Sequence, residues 1–250
     1  MSVVPVRTEP SDKAEIGTQL LFGDSFSIIK KSEDGKWAYI QIYYDEYFGW
    51  IDSKQFKEVT KEYFDTYNNN PVAMTKGLMG LMKGERSFFP VMMGSTLPFY
   101  NNGIVRIADE KYEYEGEYFY PQQLSSKAIE NTARFYLSSP YLWGGKCHFG
   151  IDCSGFTQQV YKLNGYKLPR DSYKQAEVGE TISFGDHALA DLAYFHNVNG
   201  KIIHVGIVLP EGLIIHASGE VRIDILDSVG IFNVDRKVYS HKLALIKRII

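Results

Sequence analysis

The sequence predicts an α+β protein of three modules: two small β-barrels followed by a larger domain of helices and strands. Three observations predict this organisation. Short strand-like runs alternate with turn-forming residues over 1–57, and a similar pattern returns in 58–124. Apolar residues then recur at helical spacing, first in 125–139 and again after Cys153. Two β-branched runs in 201–218 indicate a hairpin.

Length and composition limit the possible classes of protein. The 250 residues, 44% of them hydrophobic, suffice for one large domain or for two to three small ones. A net charge of −3 argues against a nucleic-acid partner, which normally requires a basic face. No apolar run is long enough to span a membrane. The start lacks a basic stretch followed by an apolar one, so the chain as written is expected in the cytoplasm. A periplasmic or cell-surface location is expected only if a signal peptide was removed.

Residues 1–57 form the first module. Their strand-like runs are short and separated by turn signals, which is typical of a small all-β barrel. The runs are Val3–Arg7, Leu20–Phe22, Phe26–Lys30, Trp37–Tyr43 and Gly49–Asp52.

Residues 58–124 form the second module. An aromatic segment, 63–67, runs into the turn-forming residues 68–71, and strand-like runs linked by glycine-containing turns follow from Val91 to Tyr114. We interpret the module as a second, divergent barrel. Its methionines are expected to fill the core, because an unbranched thioether adapts to irregular gaps. They are Met74, Met79, Met82, Met92 and Met93.

The third module, 125–250, opens with a predicted helix over 125–139 that Pro140 ends. A second helix is predicted after Cys153, because Phe156, Val160 and Leu163 recur at i, i+4 and i+7 and Asn164-Gly165 supplies a stop. Cys153 then lies in the first helical turn or at the cap. The unpaired N–H groups and the helix dipole favour a thiolate there, and a thiolate is the better nucleophile. An arbitrary cysteine is more often a small buried apolar residue, so this hypothesis requires a base.

Two histidines are candidates for that base. The strand-like runs 201–209 and 213–218 flank a three-residue loop. If Leu209 pairs with Leu213, His216 lies opposite Gly206, and His204 is a diagonal neighbour of His216 on the same face, roughly 7 Å away at the backbone. A nucleophile, a base and an orienting residue would suit this arrangement.

The chain has two cysteines, Cys147 and Cys153, too few for a disulfide scaffold. A zinc site drawn from Cys147, His148, Cys153 and the two later histidines is conceivable. It lacks both a CxxC spacing and a helical histidine pair. No metal and no cofactor is therefore expected.

Five segments resemble the NlpC/P60 cysteine peptidases in order and spacing, over about residues 126–250. The resemblance implies a papain-like domain in which Cys153 is the nucleophile, His204 the general base and His216 the orienting residue. It also implies that the thiol of Cys147 is incidental. The matching segments are Tyr141–Gly145, Asp152–Phe156, Pro169–Ser172, His204–Ile207 and Ile215–Ser218.

The resemblance assigns the substrate site as well. The hydroxyl of Tyr141 would help to hold the oxyanion together with the N–H of the nucleophile, and Trp143 would line the site. Asp152 and Ser154 would contact a γ-linked D-glutamate. Asp171 and Ser172 would hold the free amine of an N-terminal alanine, since an ammonium group requires a carboxylate.

From the residues alone, 172–175 also match a capping box, so Asp171 and Ser172 could simply start a helix. The C-terminal runs Val221–Ile225 and Leu243–Ile249 are expected to be strands without a chemical role.

Residues 1–57 resemble a bacterial SH3 domain, notably in Gly23-Asp24 and Gly49-Trp50-Ile51. We expect the loop 43–47 to close the alanine end of the cleft. The alternatives are a barrel that binds cell wall and one that only packs against the enzyme. The candidates for a contact with substrate, among which the sequence does not choose, are Tyr43, Tyr44, Tyr47, Glu9 and Glu15.

Together these features lead us to expect a monomeric cysteine endopeptidase that cleaves the D-γ-glutamyl–diamino acid bond of peptidoglycan stem peptides. The preferred substrates would be turnover or recycling fragments with a free N-terminal L-Ala, and the bond itself follows from the resemblance. Two alternatives stay open: a cell-wall-binding protein with a degenerate catalytic domain, and an amidase or acyltransferase on the same core.

Overall fold

The computed structural model describes residues 1–85 and 87–250. These residues form a mostly β structure with four helices. They divide into two compact units. Unit 1 comprises 1–121 and 146–148, and unit 2 comprises 122–145 and 149–250.

The start of unit 1 is an antiparallel five-stranded sheet in the order β2-β1-β5-β4-β3. Each predicted run coincides with a strand, although β2 begins four residues earlier than predicted. Alternate side chains point inward and form an apolar core that includes Val6, Ala38, Ile40 and Ile51. The strands are β1 (Val3–Arg7), β2 (Ile16–Leu21), β3 (Phe26–Lys31), β4 (Trp37–Ile42) and β5 (Phe48–Asp52).

The middle of unit 1 starts with helix α1 (Lys61–Asn68), formed by the aromatic segment for which the sequence predicted no helix or strand. Thr60 caps this helix by accepting a hydrogen bond from the N–H of Tyr63 at 3.1 Å. Two small sheets follow, in the orders β10-β11-β7-β8 and β12-β6-β9. Their strands are β6 (Ala73–Thr75), β7 (Met79–Lys83), β8 (Phe88–Met92), β9 (Thr96–Leu97), β10 (Ile104–Ile107), β11 (Glu110–Glu115) and β12 (Tyr118–Phe119).

The apolar cluster of this middle segment includes Phe22, which belongs to the first predicted module. Of the methionines, Met82, Met92 and Met93 are buried, as expected for core residues. Met79 is half exposed, so the core prediction is wrong for it. Strand β13 (Lys146–Cys147) also belongs to unit 1.

Unit 2 is built on an antiparallel sheet in the order β15-β21-β16-β17-β18-β19-β20. Because β20 also pairs with β21, six of these strands close into a ring. Its core contains Ala193, Phe195, Ile214 and Ile246. The strands of unit 2 are β14 (Gly150–Ile151), β15 (Glu180–Ile182), β16 (Leu192–His196), β17 (Ile202–Leu209), β18 (Leu213–Ser218), β19 (Glu220–Leu226), β20 (Gly230–Asn233) and β21 (Val238–Arg248).

Three helices complete unit 2. Helix α2 (Ser126–Phe135) starts at its predicted cap, Ser125, but ends four residues earlier than predicted, and Ser138 after it has a positive φ of 63°. Helix α3 (Cys153–Leu163) ends at the predicted stop, with Asn164 as its cap. All eleven of its residues are buried, so it is a central helix instead of one with a single apolar face. Helix α4 (Ser172–Gln175) is one turn long.

Among the described residues, none of the helices has the length and apolar character that crossing a bilayer would require.

Candidate active site

Cys153 is the first residue of α3, and Asp152 caps this helix. Oδ1 of Asp152 accepts a hydrogen bond from the N–H of Gly155 at 2.7 Å, which satisfies an otherwise unpaired donor of the first turn. A Cβ atom on Gly155 would lie 2.3 Å from the carbonyl oxygen of Gly145, so only glycine allows this close approach. The prediction that the thiol lies at a helix start is confirmed.

Burial determines the charge state of this thiol. Cys153 is 6% exposed. Burial, together with the carboxylate of Asp152, raises the pKa of the thiol to about 12. The N–H groups of Val205 and Ser154 and the guanidinium of Arg170 lower this pKa by less. The expectation that the helix start gives a resting thiolate is therefore wrong. Cys153 is a neutral thiol that needs a base.

The histidine hairpin has the predicted register. Leu209 pairs with Leu213 and Gly206 with His216. Nε2 of His204 and Nδ1 of His216 lie 2.8 Å apart and share a hydrogen bond. A Cβ atom on Gly206 would come within 2.9 Å of the His216 Cβ, so the glycine makes room for that side chain. The hydrogen bond from the N–H of Val205 to the thiol of Cys153 brings β17 against the start of α3.

Asp224 on β19 adds a third residue to the hydrogen-bonded pair His204–His216. Its Oδ2 lies 3.1 Å from Nε2 of His216. Arg222 donates two hydrogen bonds to the Asp224 carboxylate, at 2.8 and 3.0 Å. The expectation that the C-terminal strands play no part in the site is wrong. The signal was present in the sequence, because polar Arg222 and Asp224 alternate with apolar neighbours, and the register that pairs His216 with Arg222 makes Asp224 its diagonal neighbour.

The hydrogen-bond chain fixes the tautomer of each ring. An ionised carboxylate only accepts hydrogen bonds, so Nε2 of His216 carries the proton that Asp224 accepts. Nδ1 of a neutral His216 is then an acceptor, and Nε2 of His204 must donate to it. This leaves Nδ1 of His204 as the proton acceptor of that ring. His204 is thereby prepared to act as a base.

The charge states of His204, His216 and Asp224 agree with this assignment. Burial, followed by the neighbouring His241 and His216, holds the pKa of His204 well below 6.5. Burial also lowers the pKa of His216, against the opposing effect of Asp224. Burial raises the pKa of Asp224, but hydrogen bonds from His216 and Arg222 outweigh it and lower that pKa to about 2. At neutral pH both imidazoles are neutral and Asp224 is ionised.

His241 on β21 is a third histidine that the sequence gave no reason to include. Its ring stacks on that of His204, with centroids 4.0 Å apart and planes 19° from parallel. Among the described residues, nitrogens of His204, His216 and His241 lie within 4.8 Å of one another, a grouping that could hold a metal ion. Both nitrogens of His216 are already engaged in hydrogen bonds, Nδ1 with His204 and Nε2 with Asp224, so neither is left for a metal. The arrangement fits a hydrogen-bonded chain better than a metal centre.

Two segments of the chain match known families. Residues 138–243 match the NlpC/P60 family, and residues 6–56 match the bacterial dipeptidyl-peptidase SH3 domain. The chain carries an NlpC/P60 domain and a bacterial SH3 domain. The protein is accordingly an enzyme of the peptidase class.

Relatives match both parts of the chain. A gamma-D-glutamyl-L-lysine dipeptidyl-peptidase from Bacillus subtilis strain 168 is 28% identical over 93% of this chain and 81% of its own length. A protein of the same name from Bacillus cereus ATCC 10987 is 27% identical over 81% of this chain and 67% of its own. The crystal structure of an NlpC/P60 family protein from Bacillus cereus ATCC 10987 matches with a TM-score of 0.84, over 99% of this chain and 97% of that one, at 21% identity. This structural match concerns the fold, an NlpC/P60 papain-like domain preceded by a bacterial SH3 domain.

Asp152 and Ser154 of the NlpC/P60 domain are held by Arg170, a residue that the sequence analysis left without a role. Arg170 binds both carboxylate oxygens of Asp152, at 2.7 and 3.0 Å, and donates to the hydroxyl of Ser154 at 2.9 Å. The N–H of Gly144 donates to Asp152 Oδ2 at 2.8 Å. All three side chains are buried. These hydrogen bonds hold the side chains next to Cys153 in place. A contact of Asp152 or Ser154 with substrate stays a prediction.

Tyr141 lies beside the thiol. Burial, followed by electrostatic interactions with Cys153 and Asp152, raises the pKa of its hydroxyl. The phenol is therefore a proton donor at neutral pH, as an oxyanion ligand must be. Trp143 is 58% exposed, so its ring presents a large apolar surface to solvent.

Asp171 and Ser172 are half-buried and start helix α4, as the alternative interpretation expected, but the hydrogen bonds of a capping box are absent there. The N-cap of α4 is Asp171, which makes no side-chain capping bond. Gln175 does not reach back to the cap, because its amide donates to the carbonyl oxygens of Ser154 and Pro169. Burial raises the pKa of Asp171, while Arg170 acts in the opposite direction.

The candidate residues of the SH3 domain vary in exposure. Tyr43 is 48% exposed and its ring packs edge-on against Phe64. Tyr44 and Tyr47 pack against the barrel core, whereas Glu9 and Glu15 are exposed. A contact between any of them and substrate stays a prediction. Cys147, also in unit 1, is buried among apolar side chains that include Leu21 and Met92, as expected for a thiol with a packing role.

Proposed function

We propose that this peptidase is a cysteine endopeptidase that hydrolyses the D-γ-glutamyl–diamino acid bond of peptidoglycan stem peptides. The observation that carries the proposal is the buried Cys153 thiol beside the chain His204–His216–Asp224. The names of the relatives in Bacillus subtilis and Bacillus cereus support the choice of bond.

The first step is attack by the sulfur of Cys153 on the γ-carbonyl carbon of the D-glutamyl residue. Because the thiol is neutral at rest, Nδ1 of His204 takes its proton as the carbon–sulfur bond forms. The imidazolium that develops is stabilised through His216 by the carboxylate of Asp224, which is already ionised and fixed in place. The oxyanion accepts hydrogen bonds from the hydroxyl of Tyr141 and the N–H of Cys153.

In the second step His204 returns its proton to the leaving amine of the diamino acid, and a thioester remains on Cys153. Water, deprotonated by His204, then attacks the thioester carbonyl and releases the γ-carboxylate of D-glutamate together with the free thiol. One water is consumed for each amide bond that is converted into a carboxylate and an amine, and the thiol of Cys153 and the base are regenerated.

The substrates we propose are stem-peptide fragments with a free N-terminal L-Ala. The half-buried carboxylate of Asp171 is the group that fits the ammonium, with Ser172 next to it. Two features of Asp171 support this: it makes no side-chain capping bond in α4, and its hydrogen bond to Tyr173 involves a side chain that is largely exposed. Asp152 and Ser154, held by Arg170, would shape the site for the D-glutamyl residue.

We further propose that residues 1–57, 58–124 and 125–250 are the three modules of the chain and that 58–124 is a second, divergent SH3-like barrel. Its two small sheets and their apolar cluster support this assignment.

Mass spectrometry of the reaction with L-Ala-D-Glu-γ-diaminopimelate tests the function. We expect L-Ala-D-Glu and free diaminopimelate as products, and none from the Cys153→Ala protein. Cys147→Ser is the matched control and should keep most of the activity, since Cys147 packs within unit 1. An intact tripeptide, or equal loss of activity in both cysteine variants, would contradict the proposal. A product in which the acyl group has been transferred to an acceptor other than water would favour the amidase or acyltransferase alternative.

A further inference from the structure

We propose that His241 is a positioning residue, whose stacked ring holds the imidazole of His204 in the orientation that links Cys153 to His216. The inference rests on the proposed function, in which His204 is the base. It concerns a residue on the last strand, more than thirty positions after His204 in the sequence.

The ring of His204 has neighbours on three sides. His216 meets its edge nearly at a right angle, with centroids 5.1 Å apart, and shares its hydrogen bond. Phe195 lies 5.8 Å away at 47°. His241 covers the face of the ring at 4.0 Å and 19°. A single hydrogen bond lets an imidazole rock about that bond, and a flat group against its face prevents this motion.

A β-bulge turns His241 towards this position. β16 pairs with β21 first as Tyr194 with Leu245 and then as Phe195 with Leu243, so β21 carries one extra residue at this point. Side chains alternate along a strand, so the extra residue brings Leu243 and His241 to the face of Phe195, the cross-strand partner of His204. Without the bulge, Lys242 would take that place.

His241 is itself held in place. Its Nδ1 lies 2.9 Å from the hydroxyl oxygen of Ser240, and its backbone pairs with the buried Ile231 of β20. Burial, followed by His216, lowers the pKa of His241 to about 4. The stacked ring is therefore neutral at neutral pH and adds no charge against the imidazolium that His204 must become.

The other groups that surround His204 do not offer this contact. β16 contributes the uncharged Phe195, and α4, which also packs against β17, buries Gln175 and leaves its Tyr173 and Lys174 exposed. The titratable and charged groups that interact with the ring are His216 on β18, which Asp224 and Arg222 of β19 hold, and His241 on β21. Cys153 lies on α3, which packs against β17.

Two substitutions separate the stacked ring from its titration. His241→Phe keeps a flat ring over His204 and removes the titrating nitrogens, whereas His241→Ala removes the ring. We expect His241→Phe to keep kcat within about threefold of wild type at pH 7, and His241→Ala to lower kcat about tenfold with a smaller change in KM. His196→Phe on β16, which removes a half-buried imidazole from the same sheet, is the control and should leave both constants unchanged.

The pH profile gives a readout that a packing role would not change. In acid, where His241 gains a proton of its own, its charge opposes protonation of His204, so its removal should raise the pKa of His204. We expect the acid limb of kcat/KM to move to higher pH in His241→Phe. In protein labelled with ¹³C-histidine, the NMR signal of His204, assigned with His204→Asn, should titrate at correspondingly higher pH.

Wild-type kcat and a wild-type acid limb in His241→Ala would overturn the proposal. So would equal losses of kcat in the Phe and Ala variants with an unmoved acid limb, because a flat ring over His204 would then make no difference. If His241→Ala does not fold, His241→Phe still tests the proposal through the acid limb of its kcat/KM profile and the NMR titration of His204. The titration needs no substrate. Wild-type protein that fails to cut stem peptides contradicts the proposed function, whereas an unchanged His204 signal in His241→Phe contradicts the close contact of the two rings on which the role of His241 depends.

Discussion

Nε2 of His216 donates a hydrogen bond to Oδ2 of Asp224 at 3.1 Å, and this one contact sets the position of the ring proton on both His216 and His204. It makes the opposite nitrogen of His216 an acceptor, which in turn fixes the tautomer of His204. A buried carboxylate two side chains from the reacting sulfur thus prepares the base. Arg222 keeps Asp224 ionised by donating to both of its oxygens.

The first prediction tests this carboxylate. Asp224→Asn keeps the shape of the side chain and removes its charge, so the imidazolium formed during attack loses its counter-ion. We expect kcat to fall roughly 10- to 100-fold, less than when the residue next to the base is altered in a serine protease triad, because Asp224 acts through His216. Steady-state kinetics measure this. Asp235→Asn is the control, since Asp235 is exposed and pairs with the same Arg222. Equal effects of the two substitutions would contradict the prediction.

The second prediction concerns the two histidines. His204→Ala should reduce kcat as severely as Cys153→Ala, because a neutral thiol without a base cannot attack. His216→Asn should keep partial activity, since its amide oxygen can still accept the hydrogen bond from Nε2 of His204. Kinetics on the three variants, with circular dichroism to establish folding, test the order. Full activity of His204→Ala would remove it from the mechanism.

The hairpin could be predicted from the sequence because its register depends on local pairing alone. Three turn residues between two β-branched runs placed His204 diagonal to His216. The start of α3 was equally local, since a cap residue precedes a run of helical spacing. Asp224 could have been found by extending the same register by one strand.

His241 and Arg170 required the folded structure. His241 reaches His204 only because β21 bulges and pairs with β16, which precedes it by more than forty residues. The bulge has no signal in the sequence. The charge state of Cys153 was also predicted wrongly, because the helix start was visible in the sequence while the burial of all of α3 was not.

The third prediction concerns pH. The pKa of His204 is depressed, so the ring stays a neutral base at pH values where an ordinary histidine is protonated. We expect the acid limb of kcat/KM to lie below pH 6.5. Below about pH 6.5 the histidines of the unfolded chain bind protons, whereas His204 and His216 stay neutral in the folded protein because their pKa values are lowered. Proton binding then favours the unfolded state, so the free energy of unfolding should fall as the pH drops below 6.5. Urea unfolding at pH 7 and pH 5 should differ by about 1–3 kcal/mol. A smaller difference is expected in His216→Asn.

The fourth prediction concerns Arg170, which is 2% exposed. Arg170→Met leaves the buried carboxylate of Asp152 without its partner, and breaking a buried ion pair on one side costs about 3–5 kcal/mol of stability. The double variant Arg170→Met with Asp152→Asn should recover part of this loss, because no charge is left unpaired. As a control, Lys31→Met breaks the exposed pair with Glu58 and should cost less than about 1 kcal/mol. Urea unfolding measures all three, and similar values for the two single variants would contradict the assignment of a buried pair.

The last prediction concerns the amine of the substrate. If Asp171 holds the ammonium of an N-terminal L-Ala, acetylating that amine removes both the charge and two of its donors, and kcat/KM should fall about 100-fold or more. Asp171→Asn should lose activity on the free-amine peptide by a similar factor and should barely change the rate on the acetylated one, so that the two effects do not add. Mass-spectrometric kinetics of wild type and Asp171→Asn on L-Ala-D-Glu-γ-diaminopimelate and its N-acetyl form measure the four rates that this comparison needs.

Lys174→Ala in the same short helix is the control, since its side chain is exposed. If the wild-type protein cuts the free and acetylated peptides equally well, Asp171 does not bind the amine. If discrimination survives in Asp171→Asn, another group binds it, and the candidates in the SH3 domain, Tyr43, Glu9 and Glu15 among them, become the next residues to substitute.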